Sequence, residues 1–293
     1  MFSVLILTLN EEENILPCLA SAAGCDDLVV LDSGSTDATC ERARSVGARI
    51  FTRRFDHFGG QRNYAHEHIA FRHPWVFHLD ADERLLPGLL EECARLNRED
   101  PGELDGFYAA PRMLWQGRWL RRCTDFPAWQ ARFAHAQRFR FIQAGHGQRE
   151  DPSMRLGYLK GNYDHEMCAE GVEAWLEKHR RYARQEAAEA WARRQGREPK
   201  ALPGEQAGVC PGAGASRGGG EADSLFSGNA LARRRALKAL AARLPARPLA
   251  RFLYQYVLRR GFLDGPASLR YCLLLARYEA FIARETGLLK RSQ

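Results

Sequence analysis

Apolar strand-like runs alternate with helical patterns through the first hundred residues, and this alternation constrains the fold more than any other feature of the chain. Strands separated by helices of about ten residues predict βαβ units, in which a parallel sheet is covered by helices on both faces. With 45% hydrophobic and 27% charged residues, the composition excludes collagen-like and wholly disordered chains. The predicted strands are 2–7, 28–32, 48–53 and 75–79, and the predicted helices are 14–23, 37–46, 61–70 and 86–96.

The rest of the chain divides by composition. Strand-like, aromatic-rich segments over 106–114, 130–134 and 139–142 predict a mixed extension of the sheet. A charged helix is predicted over 169–194, and the Gly- and Pro-rich residues that follow predict a flexible linker. Amphipathic helices come last, with an apolar stripe at helical spacing formed by Leu249, Phe252, Leu253, Tyr256 and Val257.

Positive charge is concentrated at the end of the chain. Residues 231–293 contain 14 Lys and Arg against three Asp and Glu, whereas residues 1–230 carry a net charge of −4. Arginines alternate there with Leu, Phe and Tyr, which favours an anionic membrane surface as partner. We expect no nucleic-acid partner, because the basic region contains no recognised binding module.

The cysteines and the first residues predict a cellular location. Eight cysteines are scattered without a CxxC pair, which is typical of reduced thiols in the cytosol. The chain starts on a strand-like run without a basic segment, so no signal peptide is expected. We therefore expect a cytoplasmic protein, peripheral on the cytosolic face of a membrane.

Polar clusters follow three of the four predicted strands, at 8–11, 32–37 and 80–83, where ligands of open α/β sheets bind. Asp80 and Asp82 come directly after an apolar strand and can both reach one Mg²⁺ or Mn²⁺ ion, although an acidic turn before a helix is the plainer alternative. In the second cluster, Asp37 is expected to cap the next helix. Asp32 is placed to hydrogen-bond a nucleobase or a ribose.

Several ordered motifs resemble family 2 glycosyltransferases of the GT-A fold. The motifs are VLILTLNEE (4–12), VVLDSGSTD (29–37), FGGQRNYA (58–65), HLDADER (78–84) and WQARF (129–133). The pattern is most similar to the subgroup that contains lipopolysaccharide-core beta-glucosyltransferases. Most family members have a second Asp where this chain has Ser33.

The resemblance implies a GT-A (Rossmann-like) α/β fold with a mixed central sheet, and a metal-dependent, inverting transfer of a sugar. The implied donor is a nucleotide-sugar, with a UDP-sugar favoured. The implied acceptor is a lipid-linked saccharide, such as the lipopolysaccharide core at the inner membrane. The implied donor-binding residues are Thr8, Asn10, Glu11, Asp32, Ser33, Arg62, Asn63 and Asp80, and the implied metal ligands are Asp80, Asp82 and His165.

An inverting transfer needs a general base on the acceptor side. In the loop that resembles the subgroup's acceptor side, Glu150 is the expected base, with Asp151 in reserve and His146 as a further option. Tryptophans 115, 119 and 129 are candidates for stacking on sugar rings, although core packing is the commoner use of large aromatic side chains.

The resemblance divides the chain into four predicted parts. A nucleotide-sugar-binding half over 1–105 and an acceptor-side half over 106–195 are followed by a linker over 196–230 and a basic helical tail over 231–293. A nucleotidyltransferase, or a non-enzymatic membrane- or nucleic-acid-binding protein, is the alternative. A dinucleotide-dependent oxidoreductase is disfavoured, because GxGxxG is absent after the first strand.

Overall fold

A computed structural model describes residues 1–144, 147–169, 171–195 and 246–291. The predicted linker over 196–230 and the first part of the predicted tail, 231–245, lie outside the described residues, as does His146. The described residues form two compact units. The first unit consists of 1–119 and 125–169, and the second of 120–124, 171–195 and 246–291.

The first unit contains every described strand. The strands are Ser3–Thr8 (β1), Asp27–Asp32 (β2), Arg49–Thr52 (β3), Trp75–Asp80 (β4), Glu83–Leu85 (β5), Gly106–Trp115 (β6), Arg118–Trp119 (β7), Gln130–His135 (β8), Phe141–Ala144 (β9), Gly147–Glu150 (β10) and Leu156–Glu166 (β11). Its helices are Ile15–Ser21 (α1), Thr39–Ser45 (α2), Phe58–His68 (α3) and Pro87–Glu99 (α4).

Within the described residues, nine of these strands form one mixed sheet. Its order is β3-β2-β1-β4-β8-β6-β11-β5, with β7 paired to β6, while β9 and β10 form a separate hairpin. The strands β1 to β4 are parallel to one another, β8 is antiparallel to β4, and β11 is parallel to β6. The predicted mixed sheet is therefore confirmed, and the carboxyl ends of β1, β2 and β4 meet at one edge.

Both faces of the parallel part of the sheet are covered, as the apolar strands require. On one face, Val4, Ile6 and Phe77 pack with apolar residues of α1 and α4. On the other face, Leu5 and Val76 pack with Ala65 of α3 and its neighbours. The strand β4 is thus fixed from both sides, and Asp80 stands at its exposed end.

The second unit is helical. Its helices are Val172–Arg194 (α5), Arg247–Phe252 (α6) and Pro266–Arg291 (α7), with a π-helical segment over Leu253–Leu258 and a 3-10 turn over Gly261–Asp264. Helical C-terminal segments were predicted and are confirmed. The structure groups α5 with these helices, whereas the sequence pattern placed 169–194 with the sheet. Among the described residues, no helix combines the length and apolar character that crossing a membrane requires.

Strand β11 bends where it meets α4, and a glycine makes this contact possible. The register with β6 shifts between Tyr158 and Asn162, and the carboxylate of Glu92 accepts the backbone N–H of Gly161 at 2.9 Å. A Cβ on Gly161 would lie 2.7 Å from the Cα of Leu89, which is main chain and cannot rotate away.

We therefore expect Gly161→Ala to lower the free energy of unfolding by about 1–3 kcal/mol, as overpacking does. Urea denaturation followed by circular dichroism measures the change. The control is Gly88→Ala on α4, the helix that Gly161 packs against, because a Cβ there meets nothing within 4 Å. Equal midpoints for the two variants would contradict the proposed close packing.

Candidate active site

The loops that follow β1 and β2 are hydrogen-bonded to each other. The backbone N–H of Asn10 donates to Ser35 Oγ at 2.8 Å, and Asn10 Oδ1 accepts the backbone N–H of Thr36 at 2.9 Å. Asp32 Oδ2 accepts the backbone N–H groups of Gly34 and Ser35, both at 2.9 Å. The Asp32 carboxylate therefore shapes the loop, and its contact with a nucleoside stays a prediction.

Three further predicted donor-binding residues lie at the same edge of the sheet. Thr8 ends β1, and its buried hydroxyl has no hydrogen-bond partner within the described residues. Glu11 Oε2 accepts from Asn14 Nδ2 at 2.8 Å, and Ser33 Oγ accepts from Gln61 Nε2 at 3.4 Å. The structure thus brings the expected donor side chains of β1 and β2 together.

Asp80 is held between two buried arginines. Arg62 Nη2 from α3 donates to Asp80 Oδ1 at 2.8 Å, and Arg132 Nη2 from β8 donates to Asp80 Oδ2 at 3.1 Å. The same Arg132 nitrogen donates to Glu83 Oε1 at 2.7 Å, and the backbone N–H of Asp80 donates to Glu83 Oε2 at 2.8 Å. Asp80 and Glu83 are therefore ligands of the protein's own cations.

The opposite charges of this cluster stabilise one another, and Arg62, Glu83 and Arg132 are buried from solvent. Burial would raise the pKa of Asp80, but Arg132 and Arg62 outweigh it and lower that pKa to about 2. Burial lowers the pKa of Arg62 to about 10 against the opposing effect of Asp80, so the guanidinium remains charged at neutral pH. Arg62 Nε and Nη1 are buried and have no partner within the described residues. An oxygen-rich anion would satisfy these donors.

Asp82 and His165 form the outer side of the cluster. The side chain of Asp82 is 28% exposed, and one of its oxygens lies 3.6 Å from His165 Nε2. His165 Nδ1 lies 3.2 Å from Glu83 Oε1. Burial opposes the charge on His165, yet Asp82, Glu83 and Asp80 together raise its pKa to about 9.

These residues fit a metal ion only in part. Within the described residues, no group of three or more His, Cys, Asp or Glu side chains is arranged to hold an ion unaided. The Asp82 side chain, 28% exposed, pairs with His165, whereas both oxygens of Asp80, 23% exposed, accept hydrogen bonds from arginines. This arrangement suits an ion whose other ligands come from substrate phosphates.

Asn63, the neighbour of Arg62, is hydrogen-bonded to the main chain of β9. Its Nδ2 donates to the carbonyl of Phe141 at 2.8 Å, and its Oδ1 accepts the N–H of Phe141 at 2.9 Å. The amide therefore joins α3 to β9, and its contact with the donor stays a prediction. The Arg62 guanidinium lies 5.8 Å from the centroid of the Phe141 ring.

The hairpin carries the expected base. Glu150 ends β10 opposite Phe141, and its Oε1 accepts the Tyr108 hydroxyl at 2.6 Å. Asp151 points elsewhere: its Oδ1 accepts the N–H of Ser153 at 2.9 Å, and this hydrogen bonding lowers its pKa. Glu150 is connected to the charged cluster because it pairs with Phe141, whose ring lies beside the Arg62 guanidinium that binds Asp80. The Asp151 carboxylate instead binds Ser153 within its own loop.

Sequence reasoning missed three residues of this site. Arg132 and Glu83 bind Asp80 directly, and Tyr108 binds Glu150. The sequence could have indicated Arg132, because a charged residue within a largely apolar strand such as β8 requires a partner when it is buried. Nothing in the local pattern paired Tyr108 with a residue 42 positions away.

Comparison with known proteins supports the assignment suggested by the motifs. The profile of glycosyl transferase family 2 matches residues 3–152, which is half of the chain. The lipopolysaccharide core biosynthesis glycosyltransferase LpsC of Rhizobium meliloti (strain 1021) is 37% identical over 94 residues, covering 30% of this chain and 34% of that protein. The uncharacterized glycosyltransferase RT0209 of Rickettsia typhi is 33% identical over 91 residues, covering 31% of this chain and 30% of its own. The chain thus spans about a third of the length of these curated relatives.

A solved structure is also similar. Glucosyl-3-phosphoglycerate synthase of Mycobacterium tuberculosis, in complex with Mn²⁺, UDP and glucosyl-3-phosphoglycerate, has a TM-score of 0.32 and 23% identity, covering 42% of this chain and 46% of that chain. The family match and the mixed sheet together confirm the predicted GT-A fold. The extent of the family match and the order of its motifs show that the chain belongs to glycosyl transferase family 2.

Proposed function

We propose that this glycosyltransferase moves a sugar from a nucleotide-sugar, with a UDP-sugar favoured, to a lipid-linked saccharide of the lipopolysaccharide-core type, with inversion and with a divalent metal. The buried guanidinium of Arg62 is the observation that supports this most directly. It is fixed by Asp80 at the carboxyl ends of the parallel strands and keeps two donors without a partner in the described part of the chain. A diphosphate would satisfy them.

The acceptor class is supported by the relative LpsC, whose name places it in lipopolysaccharide core biosynthesis. UDP is favoured by the resemblance of the motifs to the beta-glucosyltransferase subgroup. The donor-side residues end β1 and β2 or lie on the two joined loops that follow, and we propose that they form one binding edge for a nucleoside; they are Thr8, Asn10, Glu11, Asp32 and Ser33.

The residues suggest a direct displacement. The Glu150 carboxylate takes the proton of an acceptor hydroxyl while that oxygen forms a bond to C1 of the sugar from the face opposite the nucleotide. The bond from C1 to the diphosphate oxygen breaks, and its electrons leave with the nucleoside diphosphate. Arg62 stabilises the charge that develops there. Tyr108 holds Glu150 by its hydrogen bond.

The proposed metal ligand is Asp82, and His165, whose Nε2 lies 3.6 Å from it, would join as a second ligand on losing its proton to the ion. A bound Mg²⁺ or Mn²⁺ ion supplies positive charge that neutralises the leaving diphosphate. Asp80 is proposed to act in the same place by orienting Arg62 and Arg132.

A nucleotidyltransferase is the nearest rival, since it would also use a nucleotide and a metal. The two reactions differ in the leaving group. With UDP-glucose as donor, sugar transfer releases UDP, whereas transfer of the nucleotidyl group from a nucleoside triphosphate releases pyrophosphate. Chromatography of the products separates the two proposals.

We expect Asp82→Asn to reduce sugar transfer at least 100-fold, the scale of losing one charge-stabilising group, and to abolish stimulation by Mn²⁺. Stability should be retained, because this side chain is partly exposed. Release of UDP from UDP-glucose in the presence of lipopolysaccharide-core acceptor measures the effect. The control is Glu99→Gln, which neutralises an exposed carboxylate on α4. Full activity of Asp82→Asn would overturn the proposed metal site.

Substitutions of the two acidic candidates for the base, Glu150 and Asp151, are expected to have clearly different effects on kcat. Glu150→Gln should lower kcat by about 10²–10⁴-fold, the usual contribution of a general base, with little effect on the binding of UDP. Asp151→Asn should change kcat less than three-fold by the same reasoning, because its carboxylate caps Ser153 instead. Steady-state kinetics and UDP titration measure both effects, and the reverse pattern would make Asp151 the base.

The second unit is proposed to bind an anionic membrane surface. A group of outward-facing apolar residues, each at least 45% exposed, is formed by Leu249, Leu253, Val257, Leu258, Phe262 and Leu263. Arg251, Arg259 and Arg260 lie in the same stretch of the chain, and Arg270 follows on α7. Apolar side chains flanked by arginines are typical of helices that lie in the interface of anionic lipids.

Replacing two of these side chains by carboxylates should release the protein from membranes. We expect Leu258→Asp combined with Leu263→Asp to reduce binding to phosphatidylglycerol-containing vesicles at least ten-fold, because both insertion and charge attraction are weakened. Co-sedimentation measures the bound fraction. Leu273→Asp combined with Leu288→Asp, both on α7 and at least 50% exposed, is the matched control. Equal binding of all variants would contradict the proposed surface.

A further inference from the structure

Three aromatic side chains from adjacent strands lie next to the candidate base. Tyr108 on β6 and Tyr158 on β11 are paired in register, so their side chains share one face of the sheet. Their ring centroids are 5.1 Å apart, and the ring of Trp129, which directly precedes β8, lies 5.0 Å from that of Tyr158. We call Tyr108, Trp129 and Tyr158 the aromatic platform.

The platform is exposed where comparable residues are buried. Tyr158 is 62% exposed and Trp129 is 43% exposed. In contrast, Trp75 and Trp115, two other tryptophans of the same unit, are at most 1% exposed. Keeping two large aromatic rings together in water is unfavourable, and such groups mark binding sites when polar residues adjoin them.

Polar groups do adjoin the platform. The Tyr108 hydroxyl donates to Glu150, so one edge of the platform ends at the proposed base. Gln148 lies two residues before Glu150 on β10, which places the two side chains on the same side of the strand. The Gln148 Oε1 atom is buried and has no partner within the described residues. The Gln148 Oε1 atom can accept a hydrogen bond from a hydroxyl group of a ligand.

We propose that the aromatic platform binds a neutral hexopyranose ring of the acceptor, immediately beside Glu150. A pyranose has a face of C–H groups that packs on aromatic rings and a rim of hydroxyls that requires hydrogen bonds, and the platform with Gln148 and Glu150 supplies both. The proposal rests on the proposed function in one respect, since Glu150 receives the proton of the sugar held there. The charged cluster at Asp80 then serves the donor, and the platform serves the acceptor.

Binding of an oligosaccharide without nucleotide tests the platform directly. The probe is lipid-free core oligosaccharide released from lipopolysaccharide by mild acid, titrated into the full-length protein by calorimetry. We expect Trp129→Ala and Tyr158→Ala each to raise the Kd, and the KM for this acceptor, about ten-fold, as truncating an aromatic anchor does. Trp129→Phe and Tyr158→Phe should stay within about three-fold of the wild-type protein, because a ring remains.

The control is Tyr254→Ala, which removes a 42% exposed tyrosine from the second unit and should leave the Kd unchanged. Wild-type protein that does not bind the oligosaccharide, or alanine variants that bind it equally well, would overturn the proposal. Stabilisation by UDP with Mg²⁺ is measured separately as a thermal shift. Its absence would count against the donor site alone, so failure of the proposed function and failure of the platform give different results.

Discussion

The carboxylate of Asp80, shared between Arg62 and Arg132, organises the rest of the site. It joins the end of β4 to α3 on one side and to β8 on the other. Two buried guanidinium groups cannot stand close together without a counter-charge, and Asp80 and Glu83 provide it. Because α3 and β8 are far apart in the sequence, this ion-pair cluster sets the position of the sheet edge where the ligand loops meet.

From this cluster, the geometry extends to the acceptor side through α3. Arg62 binds Asp80, its neighbour Asn63 binds the main chain of Phe141, and Phe141 is paired across the hairpin with Glu150. One helix therefore positions both an anion-binding group and the strand that carries the proposed base.

The sequence predicted the elements better than it predicted the contacts. Strands β1 to β4 agree with their apolar patterns, because buried parallel strands are nearly continuous apolar runs. Helix α3 begins at Phe58, earlier than the predicted residue 61, because the His57 ring caps it by accepting the N–H of Gly60. The low helix propensity of the two glycines in its first turn explains why the sequence pattern placed the start too late. The Asp37 carboxylate accepts the N–H of Thr39 and so supports α2 from one residue outside its N-cap. The arginine partners of Asp80, in contrast, come from α3 and β8, and no local pattern encodes that these two elements meet at the end of β4.

Asp80 and Asp82 have different contacts, and this difference decides how substitutions of the two residues are interpreted. Removing the Asp80 carboxylate leaves Arg62 and Arg132 buried without it, and breaking a buried ion pair costs about 3–5 kcal/mol. Lost activity in such a variant would reflect a displaced anion site or a destabilised sheet edge as much as a lost metal ligand. The cationic contact of Asp82 within the described residues is instead His165, whose charge is titratable. Asp82 is therefore the position at which the metal and the scaffold can be separated by experiment.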